Sequence, residues 1–381
     1  MISFDFFNPV RVIFGQGKLE ELATIDLPGK KALIITTPDR LFLDRVVTLL
    51  QKNGVSSEIY DKVRPNPNSL GVMEAARFGL EKGCDFVVSI GGGSSTDTAK
   101  ATAAIMKNGG ELWDYMGGFT GELKPADKGA LPIVVISTTS GTGTEVNQYA
   151  VITKDETFEK IDLVSESIFP TISILDPCLQ TSVPKNLTAF QGMDVIYHSS
   201  EGFITKYATP IGDVCSLESL RLAAKHLPEA YRNGDNIEAR EGVCLACLFA
   251  GYNESTAACV SLHAISHSFG AMHPLIPHGA ALSLVAVECF KYYMQFVPER
   301  MAIMSETVGY GHRPEGFIEF LEDILKELGI DNIDYHEYGL DADRAEEYAQ
   351  NSYDVTQCLH DCDVHLMPLE DCVEIIRKSL K

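Results

Sequence analysis

The chain has 381 residues, a formal net charge of −22 at pH 7 and 45% hydrophobic residues. At roughly 100–200 residues per domain, this length predicts two or three domains with substantial cores, and the composition excludes wholesale disorder. The negative charge argues against nucleic acid or an anionic membrane as a partner, because either polyanion would be repelled. No apolar run reaches the ~18 residues of a membrane span and the N-terminus lacks the features of a signal peptide, so we expect a cytoplasmic protein.

Short β-branched runs alternate with helical patterns in the N-terminal half of the chain. Buried strands are predicted at residues 32–37, 86–90, 132–137 and 172–176, and helices at residues 69–82 and 95–107. Such alternation is typical of a parallel sheet with helices on both faces. We therefore predict a Rossmann-like α/β domain over residues 1–182.

The pattern changes at about Leu187. Long stretches with the 3.6-residue periodicity of helices follow one another and β-branched runs disappear, which predicts an all-helical domain over residues 183–381. The ten cysteines are scattered through the chain. Their spacing fits neither a disulfide framework nor a metal cluster, so we expect free thiols.

A glycine-rich segment follows the predicted strand at 86–90. It reads Gly91-Gly92-Gly93-Ser94 and leads into a helical pattern that carries Asp97. Glycines allow a close backbone approach, and the N–H groups at a helix start attract phosphate. The segment does not match the GxGxxG fingerprint, and a simple turn capped by Ser94 or Ser95 is the alternative. We favour a phosphate-binding loop.

A second polar loop follows the predicted strand at 132–137. Thr138, Thr139 and Thr142 lie in it, together with two glycines. In α/β sheets, ligands bind at the carboxyl ends of the strands. Two such loops at one sheet edge suggest a dinucleotide.

Acidic and imidazole side chains cluster in the helical half. Asp194 and His198 are four residues apart and so share one helix face, and His263, His267, His273 and His278 follow within sixteen residues. One carboxylate with several imidazoles suits Fe²⁺, Zn²⁺ or Mn²⁺. Spacing alone selects Asp194, His198, His263 and His267, because two pairs four residues apart could face each other across two helices.

The motifs together resemble the iron-containing (group III) alcohol dehydrogenase family of the dehydroquinate synthase-like superfamily. The resemblance rests on NPVRVIFGQGKLEEL at the N-terminus, GGGSSTDTAK at 91–100, ISTTSGTGTEVNQYAVIT at 136–153, GMDVIYHSSEGFIT at 192–205, and HAISHSFG with PHG within 263–279. It covers nearly the whole chain. It implies a Rossmann-like domain followed by a helical, metal-binding and catalytic domain.

The resemblance also implies a ligand set that differs from the one selected by spacing. Carried over, the ligands are Asp194, His198, His263 and His278, with Fe²⁺ as the expected metal and Zn²⁺ or Mn²⁺ as alternatives. His267 then becomes the catalytic residue that relays the proton near the nicotinamide.

For the cofactor, the resemblance implies NAD. Residues expected near it are Asn66, Gly92, Gly93, Ser94, Asp97, Thr138, Thr139, Thr142 and Lys160. Many NAD-specific relatives carry an aspartate after the first strand, where it binds the ribose 2′-hydroxyl. This chain has Thr37 there and Asp39 two residues later, so NADP is not excluded.

Departures from the family pattern concern the substrate side. Asn253 and Glu254 stand where relatives tend to carry apolar or aromatic residues, and Cys358 lies in a C-terminal segment that also differs. These residues predict a pocket for a small polar aldehyde, and the alternative is that Glu254 faces solvent or another helix. His273 either lines this pocket or lies at the surface.

The expected function is a metal-dependent, NAD(P)-linked alcohol dehydrogenase or aldehyde reductase that acts by hydride transfer on a small, polar aldehyde or primary alcohol. Two alternatives remain: a non-redox, NAD- and metal-dependent lyase of dehydroquinate synthase type, and a non-catalytic metal- or nucleotide-binding protein. By resemblance we expect a homodimer or larger homo-oligomer, formed through the alternating segment at residues 2–7.

Overall fold

The structure, a computed structural model, describes residues 3–380. Strands and helices alternate up to residue 175, and helices follow. The strands are β1 (Arg11–Phe14), β2 (Lys31–Ile35), β3 (Ser56–Tyr60), β4 (Phe86–Gly91), β5 (Ile133–Ser137), β6 (Tyr149–Lys154), β7 (Glu159–Val164) and β8 (Ile172–Leu175). The helices before β8 are α1 (Leu43–Lys52), α2 (Ser69–Lys82) and α3 (Gly93–Asn108).

The helices after β8 form a separate layer of the fold. They are α4 (Lys185–Ile204), α5 (Pro210–Arg232), α6 (Ile237–Ala257), α7 (Ser261–Met272), α8 (His278–Tyr293), α9 (Pro298–Thr307), α10 (Pro314–Glu327), α11 (Ala345–His360) and α12 (Leu369–Ser379). The predicted fold class, a Rossmann-like α/β region followed by a helical region, is confirmed. The boundary at residues 182/183 stays a prediction, although it falls between β8 and the start of α4.

Within the described residues, the main sheet is parallel and has the strand order β1-β8-β5-β4-β2-β3. The four predicted strands are its central members, β2, β4, β5 and β8. The edge strands β1 and β3 were not predicted, and neither was the antiparallel hairpin β6–β7. Since β4 and β5 are adjacent, with Gly91 opposite Ser137, the two polar loops that follow them emerge side by side.

Apolar side chains cover both faces of the sheet. On one face, Leu33 and Val87 pack with Val72 of α2 and Ala99 of α3. On the other face, Ile34 packs with Leu49 of α1. This alternation along β2 is what a parallel strand buried on both sides requires.

The helical region has its own apolar core, to which α4 through α12 contribute. α7 is buried along nearly its whole length, from Ser261 to Ala271. Within residues 3–380, no single helix is both long and apolar enough to span a membrane; α6 and α7 meet that criterion only as a pair, and they are bent by 104° at their junction.

The structure describes only part of the segment at residues 2–7 that was predicted to be an exchanged strand, because Ile2 lies outside the described residues. Residues 3–10 form no strand in this chain. Phe4, Phe6 and Phe7 are exposed.

Candidate metal and cofactor site

The glycine-rich loop turns directly from β4 into α3. The helix begins at Gly93, preceded by Gly92, and no side chain caps it. Neither Ser94 nor Ser95 therefore has the capping role of the alternative interpretation, because both lie inside the first turn. The first N–H groups of α3 have no intrahelical partner and point out of the helix end, as phosphate binding requires.

Two glycines of this loop are required by its contact with the second loop. A Cβ built on Gly92 would lie 2.6 Å from Oγ1 of Thr139, and one on Gly93 would lie 2.7 Å from Cγ2 of Thr142. These separations are too short for real atoms, so only glycine allows the loops to meet. The prediction of two cooperating loops at one sheet edge thus has a packing basis.

The loops border a cleft with an empty volume of about 810 Å³ between the sheet and the helical region. Of the residues predicted to bind the cofactor, those along the cleft are Asn66, Gly93, Ser94, Asp97, Thr142 and Lys160. Gly92, Thr138 and Thr139 are not along it; Thr139 packs behind the loop against Gly92, and Thr138 donates its N–H to the carbonyl of Gly91 at 3.0 Å.

Asp97 and Lys100 form a buried network that ties α3 to the second loop. Asp97 Oδ1 accepts a hydrogen bond from Thr144 Oγ1 at 2.7 Å, and its other oxygen accepts from the N–H of Val151 at 3.2 Å. Lys100 Nζ donates to Thr144 Oγ1, to both oxygens of Asn147 and to the Tyr149 carbonyl at 2.8–2.9 Å. Both oxygens of Asp97 are therefore held by the protein, so this residue shapes the phosphate loop as well as lining the cleft.

The four side chains implied as metal ligands converge on one carboxylate oxygen. Asp194 Oδ1 lies 3.6 Å from Nδ1 of His198, 3.8 Å from Nε2 of His263 and 3.7 Å from Nε2 of His278. Two of these come from α4, one from α7 and one from the first position of α8. The predicted ligand residues are thus brought together from three helices.

These atoms fit a divalent metal. Donors that share an ion at ~2.0–2.2 Å in tetrahedral geometry lie about 3.4 Å apart, close to the separations above. Asp194 Oδ1, His198 Nδ1 and His263 Nε2 are buried and have no hydrogen-bond partner among the described residues. Buried polar atoms without partners are costly. A metal ion would satisfy Asp194 Oδ1 and His263 Nε2, because donor atoms of Asp194, His263 and His278 all lie within 4.8 Å of one another, whereas His198 belongs to a second such group with Cys259 and His263.

Glu201 supports this set and was not predicted. Its carboxylate accepts a hydrogen bond from Nδ1 of His263, which leaves Nε2 facing Asp194. Although burial opposes protonation, the neighbouring Cys259 and Glu201 raise the pKa of His263 well above its usual value. The surroundings of this ring favour a positive charge, which a metal at Nε2 would supply. Asp194, His198 and Glu201 are spaced i, i+4, i+7 on α4, a signal the sequence contained.

His267 lies beside the set without contacting Asp194. Its ring is 6.2 Å from that of His263 and 5.6 Å from that of His278, centroid to centroid. It lines the cleft, and its Nδ1 has no hydrogen-bond partner among residues 3–380. Burial, and then the charge of Lys160, lower the pKa of His267 well below its usual value, so the ring is neutral at pH 7.

Lys160 and Asn66 connect the α/β region to the loop before α8. Lys160 Nζ donates to Oδ1 of Asn66 at 2.8 Å, and burial lowers the pKa of the lysine to about 8. The Asn66 amide donates to the carbonyls of Pro274 and Ile276 at 2.9 and 3.2 Å. Asn66 therefore positions the segment that leads into His278.

Of the four residues expected on the substrate side, one lines the cleft and three do not. Glu254 lines the cleft, which contradicts a solvent-facing role. Asn253 is buried behind it and donates to the carbonyl of His198 at 3.1 Å. His273 does not line the cleft; its Nε2 is 3.0 Å from the Tyr348 hydroxyl. Cys358 is exposed, and its neighbour Leu359 lines the cleft instead.

Asp162 of β7 and Cys259, just after α6, also line the cleft and were not predicted. Neither residue belongs to one of the motifs with metal-ligand spacing. In addition, β7 was not predicted as a strand, so nothing in the sequence indicated that Asp162 lies at the site. Possible metal donors within 4.8 Å of one another include His198, Cys259 and His263. The ten cysteines, all among the described residues, are free as expected, and one of them, Cys259, lines the cleft.

Comparisons with known proteins match both parts of the chain. The family model described as iron-containing alcohol dehydrogenase matches residues 9–177, and the model of the C-terminal region of the Fe-containing alcohol dehydrogenase family matches residues 188–380. An NAD-dependent methanol dehydrogenase of Bacillus methanolicus is 32% identical over 394 residues, 99% of this chain and 100% of that protein.

Two further proteins extend the comparison. A 1,3-propanediol dehydrogenase of Klebsiella pneumoniae is 32% identical and covers 80% of this chain and 79% of its own length. The solved structure of an archaeal halo-thermophilic alcohol dehydrogenase from a Red Sea brine pool, bound to NZQ, superposes with a TM-score of 0.95 over 100% of both chains at 29% identity. Both halves of the chain, the α/β region and the helical region, are therefore matched.

Proposed function

The chain belongs to the iron-containing alcohol dehydrogenase family, and on this premise we propose that it interconverts a small, polar primary alcohol and its aldehyde by hydride transfer with NAD(H). Membership makes it an oxidoreductase and implies a divalent metal such as iron. The observation that carries the proposal is the convergence of His198, His263 and His278 on Asp194 Oδ1 at 3.6–3.8 Å, in a cleft that the phosphate loop also borders.

In the proposed reaction, Asp194, His198, His263 and His278 hold Fe²⁺, with Zn²⁺ or Mn²⁺ as alternatives. When bound, the ion supplies a Lewis acid for the substrate oxygen and the nicotinamide supplies the hydride carrier. In alcohol oxidation, a bound nicotinamide would take the hydride of the carbinol C–H bond, and the residues of the cleft would take the hydroxyl proton. His267, which is neutral and lines the cleft, would accept that proton and pass it to the open side of the cleft.

The dinucleotide is proposed to lie along the cleft with its pyrophosphate at the start of α3. Gly93 lines the cleft there, and Thr142 and Ser94 offer hydroxyl groups beside it. NAD is proposed over NADP because Asp39, which accepts a hydrogen bond from Thr37 at 2.6 Å, places a carboxylate beyond β2. Such a charge repels a 2′-phosphate.

The test is the absorbance of NADH or NADPH during turnover of C2–C4 alcohols and aldehydes. Net formation or consumption of reduced cofactor supports the proposal. A dehydroquinate synthase-type lyase recycles its cofactor internally and would show substrate loss without net NADH, and a binding protein would show neither.

A homo-oligomer is proposed as well. The support is resemblance together with the exposed rings of Phe4, Phe6 and Phe7 at the N-terminus, since adjacent exposed apolar groups often mark an interaction site. Light scattering should give at least twice the chain mass of 41.7 kDa, and Phe6→Asp should lower that value. A monomer at micromolar concentration would contradict it.

A further inference from the structure

Cys259 brings a thiol to the cleft beside two of the proposed metal ligands. It lies between α6 and α7, is 6% exposed and lines the cleft. Donor atoms of Cys259, His198 and His263 all lie within 4.8 Å of one another. Donors that share a zinc ion at bond lengths of about 2.0–2.3 Å lie ~3.5 Å apart, so small side-chain rotations would bring the three onto one ion.

The backbone directly before Cys259 adopts an unusual conformation. Ala258 has φ 59° and ψ 163°, a combination that is found almost only in glycine and that clusters at functional sites. At this point the chain leaves α6 and enters α7, and the two helices are bent by 104° relative to each other. The turn leaves Cys259 between the helices, on the side of the cleft.

His198 gives a separate indication that a ligand is bound beside the thiol. The residue is 4% exposed, and its Nδ1 has no hydrogen-bond partner among residues 3–380. It stands outside the first group of close donors, Asp194, His263 and His278, and inside the group that contains Cys259. An ion in the first group therefore reaches His198 only if the ring rotates, whereas an ion beside Cys259 has this imidazole within reach.

His263 belongs to both groups and can serve only one of them at a time. Its Nδ1 donates a hydrogen bond to Glu201, as a ligating histidine commonly does with its second nitrogen. This leaves Nε2 as the one nitrogen available to an ion. The two groups are therefore alternative positions for a single ion and do not form a two-metal centre.

We propose that Cys259, His198 and His263 form a second, alternative position for a thiophilic divalent ion such as Zn²⁺ or Cd²⁺. The first position contains a carboxylate oxygen and no sulfur, whereas a thiolate selects softer ions. Coordination takes the proton from the thiol and releases it to solvent. The inference rests on the ligand set of the proposed function and extends it, because it names a class of ions that competes with Fe²⁺ for His263.

A thiol that only fills space is the simpler interpretation of Cys259. The residue packs with Ala264 and Leu359 in a small apolar cluster, and free cysteines often have that role. Apolar packing does not, however, require two imidazoles within 4.8 Å of the sulfur. It would also leave Nδ1 of His198 buried and without a partner, which an ion beside the thiol avoids.

The test is an anaerobic titration of the metal-depleted protein with Cd²⁺, because a cadmium–thiolate bond gives an ultraviolet charge-transfer band that nitrogen and oxygen ligands do not give. We expect the band to reach a plateau at one ion per chain. It should be absent in Cys259→Ala and in Cys259→Ser, which keeps the size of the side chain. Cys84→Ala removes a thiol that is also buried, at 8% exposure, but lies in the α/β region, and it should leave the band unchanged. No band in the parent, or an undiminished band in both Cys259 variants, overturns the inference.

Competition with a coloured chelator provides a second readout. Cys259→Ala should lower the affinity for Zn²⁺ by at least the about 10- to 100-fold that loss of a supporting residue costs. The affinity for Fe²⁺ should stay unchanged, which also shows that the variant is folded. An unchanged affinity for Zn²⁺, or equal losses for the two ions, overturns the inference.

The same measurements separate this inference from the dehydrogenase function. NADH formation with Fe²⁺ in a parent protein that shows no cadmium–thiolate band would refute the second ion position and leave the dehydrogenase function standing. A band that depends on Cys259, in a protein that oxidises no alcohol, would support the ion position and refute the dehydrogenase function.

Discussion

Glu201 accepts a hydrogen bond from Nδ1 of His263 and so fixes which nitrogen of that ring faces Asp194. Both residues are buried, and they come from α4 and α7. A carboxylate behind a ligating histidine sets the tautomer and raises the basicity of the donor nitrogen. The contact therefore joins two helices and defines the geometry of the proposed metal site.

Removing this carboxylate should weaken metal binding without removing a ligand. Glu201→Ala is expected to lower the affinity for Fe²⁺ or Zn²⁺ roughly 10- to 100-fold, as found for such supporting residues in general. Competition with a coloured chelator measures it. Glu238→Gln serves as the control, and an unchanged affinity in Glu201→Ala would show that the contact does not act on the metal.

His267 and Asp194 should separate turnover from metal content. His267→Ala should keep the metal and lose turnover by about 10²- to 10⁴-fold, the usual contribution of acid–base catalysis, whereas Asp194→Ala should lose the metal itself. Metal analysis beside the NADH assay distinguishes the two. Equal metal loss in both variants would instead support the ligand set selected by spacing, with His267 as a ligand. His312→Ala, an exposed histidine before α10, should change neither quantity.

The contact between the two loops should be sensitive to a single methyl group. Gly93→Ala places a Cβ 2.7 Å from Cγ2 and 3.0 Å from Oγ1 of Thr142, so we expect weaker NADH binding and about 1–3 kcal/mol lower stability. Thr142→Ala removes both atoms and should restore part of the loss in the double variant. NADH fluorescence titration and thermal unfolding measure the effects. Full affinity in Gly93→Ala would mean that the loops can separate at no cost.

Asp162 should make stability depend on pH in a defined window. Burial, and then Glu254, raise its pKa from an ordinary 3.8 to about 7, so the folded state binds the proton more tightly than the unfolded state. Its contribution to stability therefore falls as the pH rises from about 4 to 7 and is constant above that range. At pH 8, the free energy of unfolding of Asp162→Asn should exceed that of the parent by roughly 1–2 kcal/mol. The variant should therefore unfold at a higher temperature. At pH 4 the difference should vanish, and a difference that does not change with pH would contradict this account.

The central strands could be predicted because each carries a local signal, and two of the proposed ligand residues carry one as well. β2, β4, β5 and β8 are continuous apolar runs, and Asp194 and His198 share a helix face. The edge strand β3 (Ser56–Tyr60) was missed because its side chains are polar and half exposed. β6 and β7 were also missed. They form a separate hairpin outside the main sheet, and the alternation of apolar and polar residues along them was not recognised as a strand pattern.

What could not be predicted depends on packing between distant segments. Spacing favoured His267 over His278, because His278 is the first residue of α8 and follows a turn that Asn66 holds. Asp162 lies in the β6–β7 hairpin and Cys259 just after the end of α6. These segments are far apart in sequence, and only the folded chain brings both residues to the cleft. His273 instead bonds Tyr348, since α7 ends there and turns the ring toward α11. Only Glu201 was overlooked despite a usable signal, its i+7 spacing from Asp194.

The most direct test of the account is anaerobic titration of the metal-depleted protein with Fe²⁺, followed by NADH formation from a small primary alcohol. The account predicts that activity rises linearly to one ion per chain and then stays constant, and that Asp194→Ala, still folded by circular dichroism, gains no activity. Full activity in the metal-depleted protein, or substrate loss without net NADH at saturating Fe²⁺, would contradict it.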